Sequence, residues 1–183
     1  MPKISMDWAT GMLAGSSVKT SSKTLGQIRS LFHDQEAASQ VPVDLELYRV
    51  QFYTPVEDGT EGGLFWGSTI IQPGKVGDEY FMTKGHFHRV RNRAEYYATF
   101  HGEGALLLMD EGGATRYEEM SPGSMHYIPG HTAHRVANIG STPLVFAACW
   151  PSDAGYDYET IEREGFGARM LERNGKPVLV PRG

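Results

Sequence analysis

The stretch Gly85-His86-Phe87-His88-Arg89-Val90-Arg91-Asn92-Arg93-Ala94-Glu95-Tyr96-Tyr97-Ala98-Thr99-Phe100-His101-Gly102 reads as two extended segments joined by a polar turn. In an extended chain, residues two apart share a face. His86 and His88 therefore present two imidazoles to one side, while Phe87 points to the other. The run 89–94 is polar and turn-like, so the chain can come back beside the histidine pair. In the returning segment Glu95, Tyr97 and Thr99 share one face, and Ala94, Tyr96, Ala98 and Phe100 the other. The period is two, which is the signature of a strand.

Outward from this stretch the same texture continues. Upstream, Leu45, Leu47, Arg49 and Gln51 alternate with Glu46, Tyr48, Val50 and Phe52, and further strands are expected at Phe65–Ile71 and Glu79–Thr83. Downstream, the candidates are Ala105–Met109, Thr115–Met120, Met125–Ile128, His134–Asn138 and Leu144–Trp150. Turn signals separate them, among them Glu111-Gly112-Gly113, Ser121-Pro122-Gly123 and Pro129-Gly130. Many short strands at regular turn spacing predict an all-β antiparallel sandwich or barrel over residues 41–183. Residues 1–40 differ and are expected to form an arm on that barrel. Gly15-Ser16-Ser17 and Ser21-Ser22 suggest a loose or hairpin-like lead-in. Leu25, Ile28, Leu31 and Phe32 recur at helical spacing, which predicts one amphipathic helix over Thr24–Ala38. Asp34 and Glu36 would lie near its end, where the helix dipole disfavours them. Thr160–Glu164 could add one helical turn, and Arg169–Pro181 a last strand or ordered arm.

Composition narrows the class. A chain of 183 residues fits one domain. A formal net charge of −5 gives no footprint for nucleic acid and no basic patch for an anionic membrane. The single cysteine, Cys149, excludes an intramolecular disulfide framework and a Cys-rich zinc or iron–sulfur site. No apolar run of about 18 residues exists to span a bilayer. Met1 to Gly15 carries Asp7 and lacks the apolar core of a secretory signal, so a cytoplasmic protein is expected.

Six of the seven histidines fall between His86 and His134. His134 opens a strand candidate 39 residues beyond Glu95, far in sequence but within reach as a neighbouring strand of a barrel. Together with His86, His88 and Glu95 it makes a set of three imidazoles and one carboxylate. That set suits Fe(II), Mn(II), Zn(II), Ni(II) or Cu(II), and suits Mg(II) and Ca(II) poorly, because they prefer oxygen shells. Four protein ligands on a six-coordinate ion leave two positions open. His126 and His131 are spare to this set, with His131 read as an exposed loop residue and His101 as a surface residue at a strand end.

These motifs resemble the cupin superfamily. His86, His88, Glu95 and Gly102 match its first motif, with a longer gap before the glutamate than is usual. Gly123, Pro129, His134 and Asn138 match its second. Three strings narrow the likeness to the cupin-type phosphoglucose isomerases first known from archaea: Pro73–Gly77, Phe81-Met82-Thr83-Lys84-Gly85-His86-Phe87-His88, and Pro151-Ser152-Asp153-Ala154-Gly155-Tyr156-Asp157-Tyr158. The similarity runs from about Tyr48 to the C-terminal tail, and more weakly through the lead-in. Trp150 stands where archaeal members tend to have Tyr, and Tyr156 where they tend to have His.

The resemblance implies a double-stranded β-helix (jelly-roll) barrel that interconverts glucose 6-phosphate and fructose 6-phosphate through a cis-enediol or a hydride shift. It implies one divalent metal per chain on His86, His88, Glu95 and His134, with Fe(II) ranked first, Mn(II) next, and Zn(II) or Ni(II) also admitted. It further implies Glu95 as base, assisted by Tyr97 and Tyr158. Tyr48, Thr69, Thr83 and the Gly85 N–H would meet the sugar phosphate, with Trp150 near the mouth. Lys84 offers a charge partner but is read as a solvated residue. Family members are dimers and barrel edges invite pairing, so a homodimer is expected. Two rival readings are a cupin Fe(II) dioxygenase and a non-enzymatic sugar-binding cupin.

Overall fold

The computed structural model describes residues 4–182. A hairpin of β1 (Ser5–Met6) and β2 (Leu13–Ala14) leads into β3 (Lys19–Thr24), α1 (Leu25–Ile28), a 3₁₀ turn (Arg29–Leu31) and α2 (Gln35–Gln40). The strands that follow are β4 (Glu46–Tyr53), β5 (Leu64–Ile71), β6 (Lys75–Val76), β7 (Glu79–Tyr80), β8 (Glu95–His101), β9 (Gly104–Asp110), β10 (Thr115–Met120), β11 (Met125–Ile128), β12 (Thr132–Asn138) and β13 (Leu144–Pro151). Helix α3 (Tyr158–Glu164) and the strands β14 (Ala168–Arg173) and β15 (Lys176–Pro181) complete the chain. Among the described residues no helix is long and apolar enough to cross a membrane.

One antiparallel sheet runs β11-β8-β13-β5-β4-β3, a second runs β10-β9-β12, and a third, β15-β14-β7-β6, extends the structure. Inward residues of the first two, Tyr97 and Phe146 from one and Leu106 and Val136 from the other, join a single core. This is the double-stranded β-helix of the cupins. Strand β9 carries the apolar run Ala105–Met109, at most 5% exposed at any position, so both of its faces are covered. The free edge of β12 is taken by residues 82–86, through the bridges Met82↔Ala137 and His86↔His134. That pairing lays the segment bearing the histidine pair alongside His134.

Three expectations are corrected. The single helix over Thr24–Ala38 breaks at Phe32–Asp34. Phe32 is extended, and Asp34 starts a new helix by accepting the Ala37 N–H at 2.8 Å. Asp34 and Glu36 thus lie at a helix start, where their charge is favourable. Residues 169–181 form a hairpin instead of one strand, turning at Asn174 (φ 54°) and Gly175 (φ 74°). Two positive φ values between paired strands make a tight primed turn, for which Asn-Gly is the preferred pair. The expected strand Glu79–Thr83 divides: Glu79 and Tyr80 pair with β6, while Met82 turns to β12. The lead-in also supplies an edge strand, because β3 pairs with β4 along its length.

Candidate active site

Two elements of one sheet and one strand of the other bring the histidines and Glu95 together. His86 and His134 exchange backbone hydrogen bonds, at 3.2 Å and 3.0 Å. Gly85 makes this possible with a φ of 76°. A Cβ there would lie 2.8 Å from the Phe166 ring and 3.0 Å from the His134 carbonyl, so the position tolerates little but glycine. Glu95 reaches in from β8 on the facing sheet.

One donor atom from each of His86, His88, Glu95 and His134 lies within 4.8 Å of the others. His88, Glu95 and His134 are no more than 5% exposed. Glu95 Oε1 stands 2.5 Å from His134 Nε2 and 3.5 Å from His88 Nε2. Even so, Glu95 Oε1 and the Nε2 atoms of all three histidines make no hydrogen bond and are buried. The four atoms converge on a common point; Glu95 stands at ion-pair distance from His134 and His88, but none of the four has a well-formed hydrogen bond, and such buried polar atoms are costly. The outer ring nitrogens explain the orientation. His88 Nδ1 meets the Arg93 carbonyl at 2.9 Å, and His134 Nδ1 meets the Thr132 carbonyl at 3.4 Å. An Nδ1–H donated outward leaves the Nε2 lone pair facing inward, as a metal ligand requires. The donor set therefore fits a divalent transition metal. Among the described residues, no second group of three or more such donors converges.

The electrostatics agree. Burial works against the Glu95 carboxylate, but the imidazoles of His134 and His88 outweigh it and hold Glu95 well below the usual carboxylate range. Burial, then the neighbouring His134, pushes the His86 imidazole far down toward its neutral form. Burial also works against a charged His88, but Glu95 overrides it and raises that ring's affinity for a proton.

A cleft of about 1070 Å³ opens above this group. It is lined by Tyr48, Thr69, Thr83, Gly85, His86, Glu95, Tyr97, His134, Trp150 and Tyr158, which is every residue singled out from the sequence except His88, buried behind. Tyr97 stands edge-on to His134 with ring centroids 5.8 Å apart, and burial followed by Glu95 pushes its phenol well up. Tyr97 is thus a neutral hydroxyl donor. The Tyr48 hydroxyl accepts the Lys84 N–H at 3.4 Å, and the Thr83 hydroxyl accepts the Val136 N–H at 3.1 Å, which leaves both O–H groups free to donate into the cleft. Trp150 packs edge-on against Phe65 at 5.9 Å.

Sequence reasoning missed three features. Tyr156 stacks on Tyr158 at 5.5 Å, and both rings stand against His86, at 5.0 Å and 5.2 Å. Burial pushes the Tyr156 phenol up to about 12. The aromatic spacing at 156 and 158 was the available signal. Lys84 is not solvated: its ammonium pairs with Glu162 and lies 4.6 Å from the centre of the Tyr158 ring. Arg135 is 3% exposed, donates Nε and Nη2 to the Lys84 carbonyl at 3.2 Å and 2.7 Å, and stacks on Phe166 at 4.4 Å. Burial pushes its guanidinium down to about 10. Alternation from His134 puts Arg135 on the outer face of β12, where a sequence leads one to expect solvent. The spare histidines lie outside the centre. His126 is buried but satisfied, by Glu118 and Ser124, each at 2.9 Å. His101 is exposed, as is His131, whose φ is 60°.

The chain is similar to known proteins. Residues 22–180 match the model of a family described as glucose-6-phosphate isomerase (GPI). The glucose-6-phosphate isomerase of Thermococcus litoralis is 39% identical over 181 residues, covering 96% of this chain and 92% of that one. That of Pyrococcus furiosus is 38% identical over 182 residues, covering 97% and 93%. Among solved structures, the oxalate decarboxylase of Bacillus subtilis superposes with a TM-score of 0.49 at 24% identity, covering 65% of this chain and 29% of that one. A family match across most of the chain, together with relatives this similar over nearly their full length, establishes that the chain belongs to the glucose-6-phosphate isomerase (GPI) family.

Proposed function

We propose that this chain interconverts glucose 6-phosphate and fructose 6-phosphate, with one divalent metal held by His86, His88, Glu95 and His134. The observation that carries the reading is the set of four buried, unpartnered donor atoms converging at the floor of a cleft. A divalent ion there supplies Lewis-acid stabilisation for charge developing on the two adjacent oxygens of the open-chain sugar. Among ions that suit a three-nitrogen, one-oxygen set, Fe(II) ranks first and Mn(II) second.

The chain's own groups do the rest. The hydroxyls of Thr69, Thr83 and Tyr48 and the Gly85 N–H hold the phosphate, with glycine allowing an oxyanion close to the main chain. Tyr97 and Tyr158, neutral at working pH, donate hydrogen bonds to sugar hydroxyls, and Trp150 walls the mouth. Glu95 is the group placed to take the C2 proton and return it to C1. The neighbouring imidazoles hold its carboxylate below the usual range, and a divalent ion bound to it would weaken it further as a base. That weakness favours a second route, direct hydride transfer from C2 to C1 with the O2 proton passed to O1, which needs no base to take a proton from carbon. Isomerisation in heavy water decides between them: deuterium in the sugar supports Glu95 as base, and its complete absence supports the hydride route.

The activity itself is tested by supplying fructose 6-phosphate and following glucose 6-phosphate through an NADP-linked dehydrogenase. Turnover lost with chelator and restored by Fe(II) or Mn(II) is expected. Turnover indifferent to rigorous demetallation would sink the proposal. Neither the oxygenase nor the sugar-storage reading gains anything from the family match. We also propose a homodimer, for which the apolar outer face of the large sheet is the supporting feature.

A further inference from the structure

Behind the Thr83-Lys84-Gly85 loop, on the side away from the cleft, lies a second cavity of about 50 Å³. That is more than one water, whose share of liquid volume is about 30 Å³, and far less than a sugar needs. Three arginines from three parts of the chain line it: Arg135, Arg169 and Arg182, with Glu162 the one acidic side chain among its walls. Two of the cations are spoken for. Arg169 pairs with Glu79 at 2.9 Å and 3.1 Å, and Arg182 donates to the Glu164 carbonyl at 2.5 Å, at the end of α3. Glu162 is turned to the Lys84 ammonium. Arg135, the most buried of the three, hydrogen-bonds no carboxylate: two of its nitrogens share a single carbonyl oxygen, that of Lys84, and the acidic charge that acts on it, Glu79, is the one Arg169 already holds. Its remaining Nη1 makes no hydrogen bond among the described residues and is not sealed from solvent. A buried guanidinium that must share its nearest carboxylate with a second arginine gains from a further anion. Guanidinium groups arriving from several directions match the several oxygens of a phosphate-like ion better than a single spherical charge.

We infer that this cavity is a binding site for a small oxyanion of the size and charge of inorganic phosphate, with Arg135 as its floor and Arg182 at its exposed rim. The site is separate from the cleft but shares a wall with it, because Arg135 grips the backbone of the loop that faces the cleft. The inference does not depend on the isomerase reading.

The test is calorimetric titration of inorganic phosphate into the metal-loaded protein at constant ionic strength. It is run with and without saturating glucitol 6-phosphate, which occupies a sugar-phosphate site but has no carbonyl to isomerise. Phosphate is expected to bind still when glucitol 6-phosphate is present. Arg182→Gln, a change at the exposed rim, should weaken that residual binding about ten-fold, the loss of one charge-assisted contact, while leaving turnover of fructose 6-phosphate within two-fold. Arg135→Met, where it folds, should abolish it. No phosphate binding in the blocked protein, or binding that Arg182→Gln leaves unchanged, overturns the inference. If glucitol 6-phosphate itself fails to bind, the reading of the cleft fails and this site is judged on the Arg182 result alone.

Discussion

Glu95 has to be a ligand and, on the enediol route, a base, and its surroundings favour the first task. The imidazoles of His134 and His88 favour its ionised form and reduce its pull on a proton. Replacing it with Gln keeps the shape and removes the charge. Glu95→Gln should lower kcat by about 10²–10⁴-fold if the side chain moves the proton, measured in the coupled assay on protein whose metal content is determined in parallel. A variant that keeps its metal and its rate would show that Glu95 is neither. His134→Ala should instead lose most of its metal, because it deletes the one ligand supplied by β12; full occupancy would count against the assigned set. His86, His88 and Glu95 were legible in the sequence because a period of two puts them on predictable faces of a short return. His134 was legible as a histidine at a strand start and through the second motif, while its approach depends on residues 82–86 pairing along β12. Arg135 was not legible at all, because burial of an outward-facing strand residue is decided by what packs over it, here Phe166.

Helix α3 is short and holds Tyr158 at its first turn, so its start matters more than its length. Asp157 caps it by accepting the Thr160 N–H at 3.1 Å and also takes the Arg91 guanidinium at 2.5 Å. Burial works against the Asp157 carboxylate, but Thr160 and Arg91 outweigh it and bring it down to about 2. A folded-state value below the ordinary one means that ionised Asp157 favours the native state. That contribution is present above the ordinary aspartate value of 3.8 and is lost as pH falls through about 2. Asp157→Ala should therefore cost about 1 kcal/mol at neutral pH, the usual worth of an N-cap. The difference from wild type in denaturant melts should shrink as pH drops below 4. It should also raise KM for the sugar phosphate by loosening Tyr158. A stability gap that stays constant down to pH 2 would mean the carboxylate is not the source. The same scale shows where pattern reading stops. The helical periodicity through Leu25, Ile28, Leu31 and Phe32 was real, but Asp34 competed for the backbone as a cap and split the element. The Asn174-Gly175 hairpin signal was present in the sequence and was passed over in favour of a single tail strand.

At the scale of the whole molecule, the metal and the outer face of the large sheet set how the protein behaves in solution. Four inward-facing donors crowd one point, so removing a bound ion should weaken the fold. Metal at 100 times its Kd adds about 2.7 kcal/mol, so chelation should lower Tm by roughly 5–10 °C for a chain of this length; an unchanged Tm would argue against occupancy. The outer face is a separate matter. Cross-strand pairing sets Tyr127, Tyr96, Cys149, Trp66 and Tyr53 in one row across five strands. Tyr127 and Tyr96 are about half exposed, and Met125, on the same face, is 72% exposed. The row contains no charge, and apolar patches of this kind mark contact surfaces. The free edge at β3, by contrast, carries Lys19 and Lys23, a common guard against edge pairing. A homodimer should thus form face to face about a two-fold axis, with each aromatic row meeting its own copy. Tyr96→Asp combined with Tyr127→Asp would bring like charges together in that contact and should yield a monomer by sedimentation. Metal content should be retained, because the Tyr96 side chain points away from the neighbouring Glu95. A double variant that still sediments with the wild type, or a wild type that is already monomeric, would move the contact elsewhere or remove it.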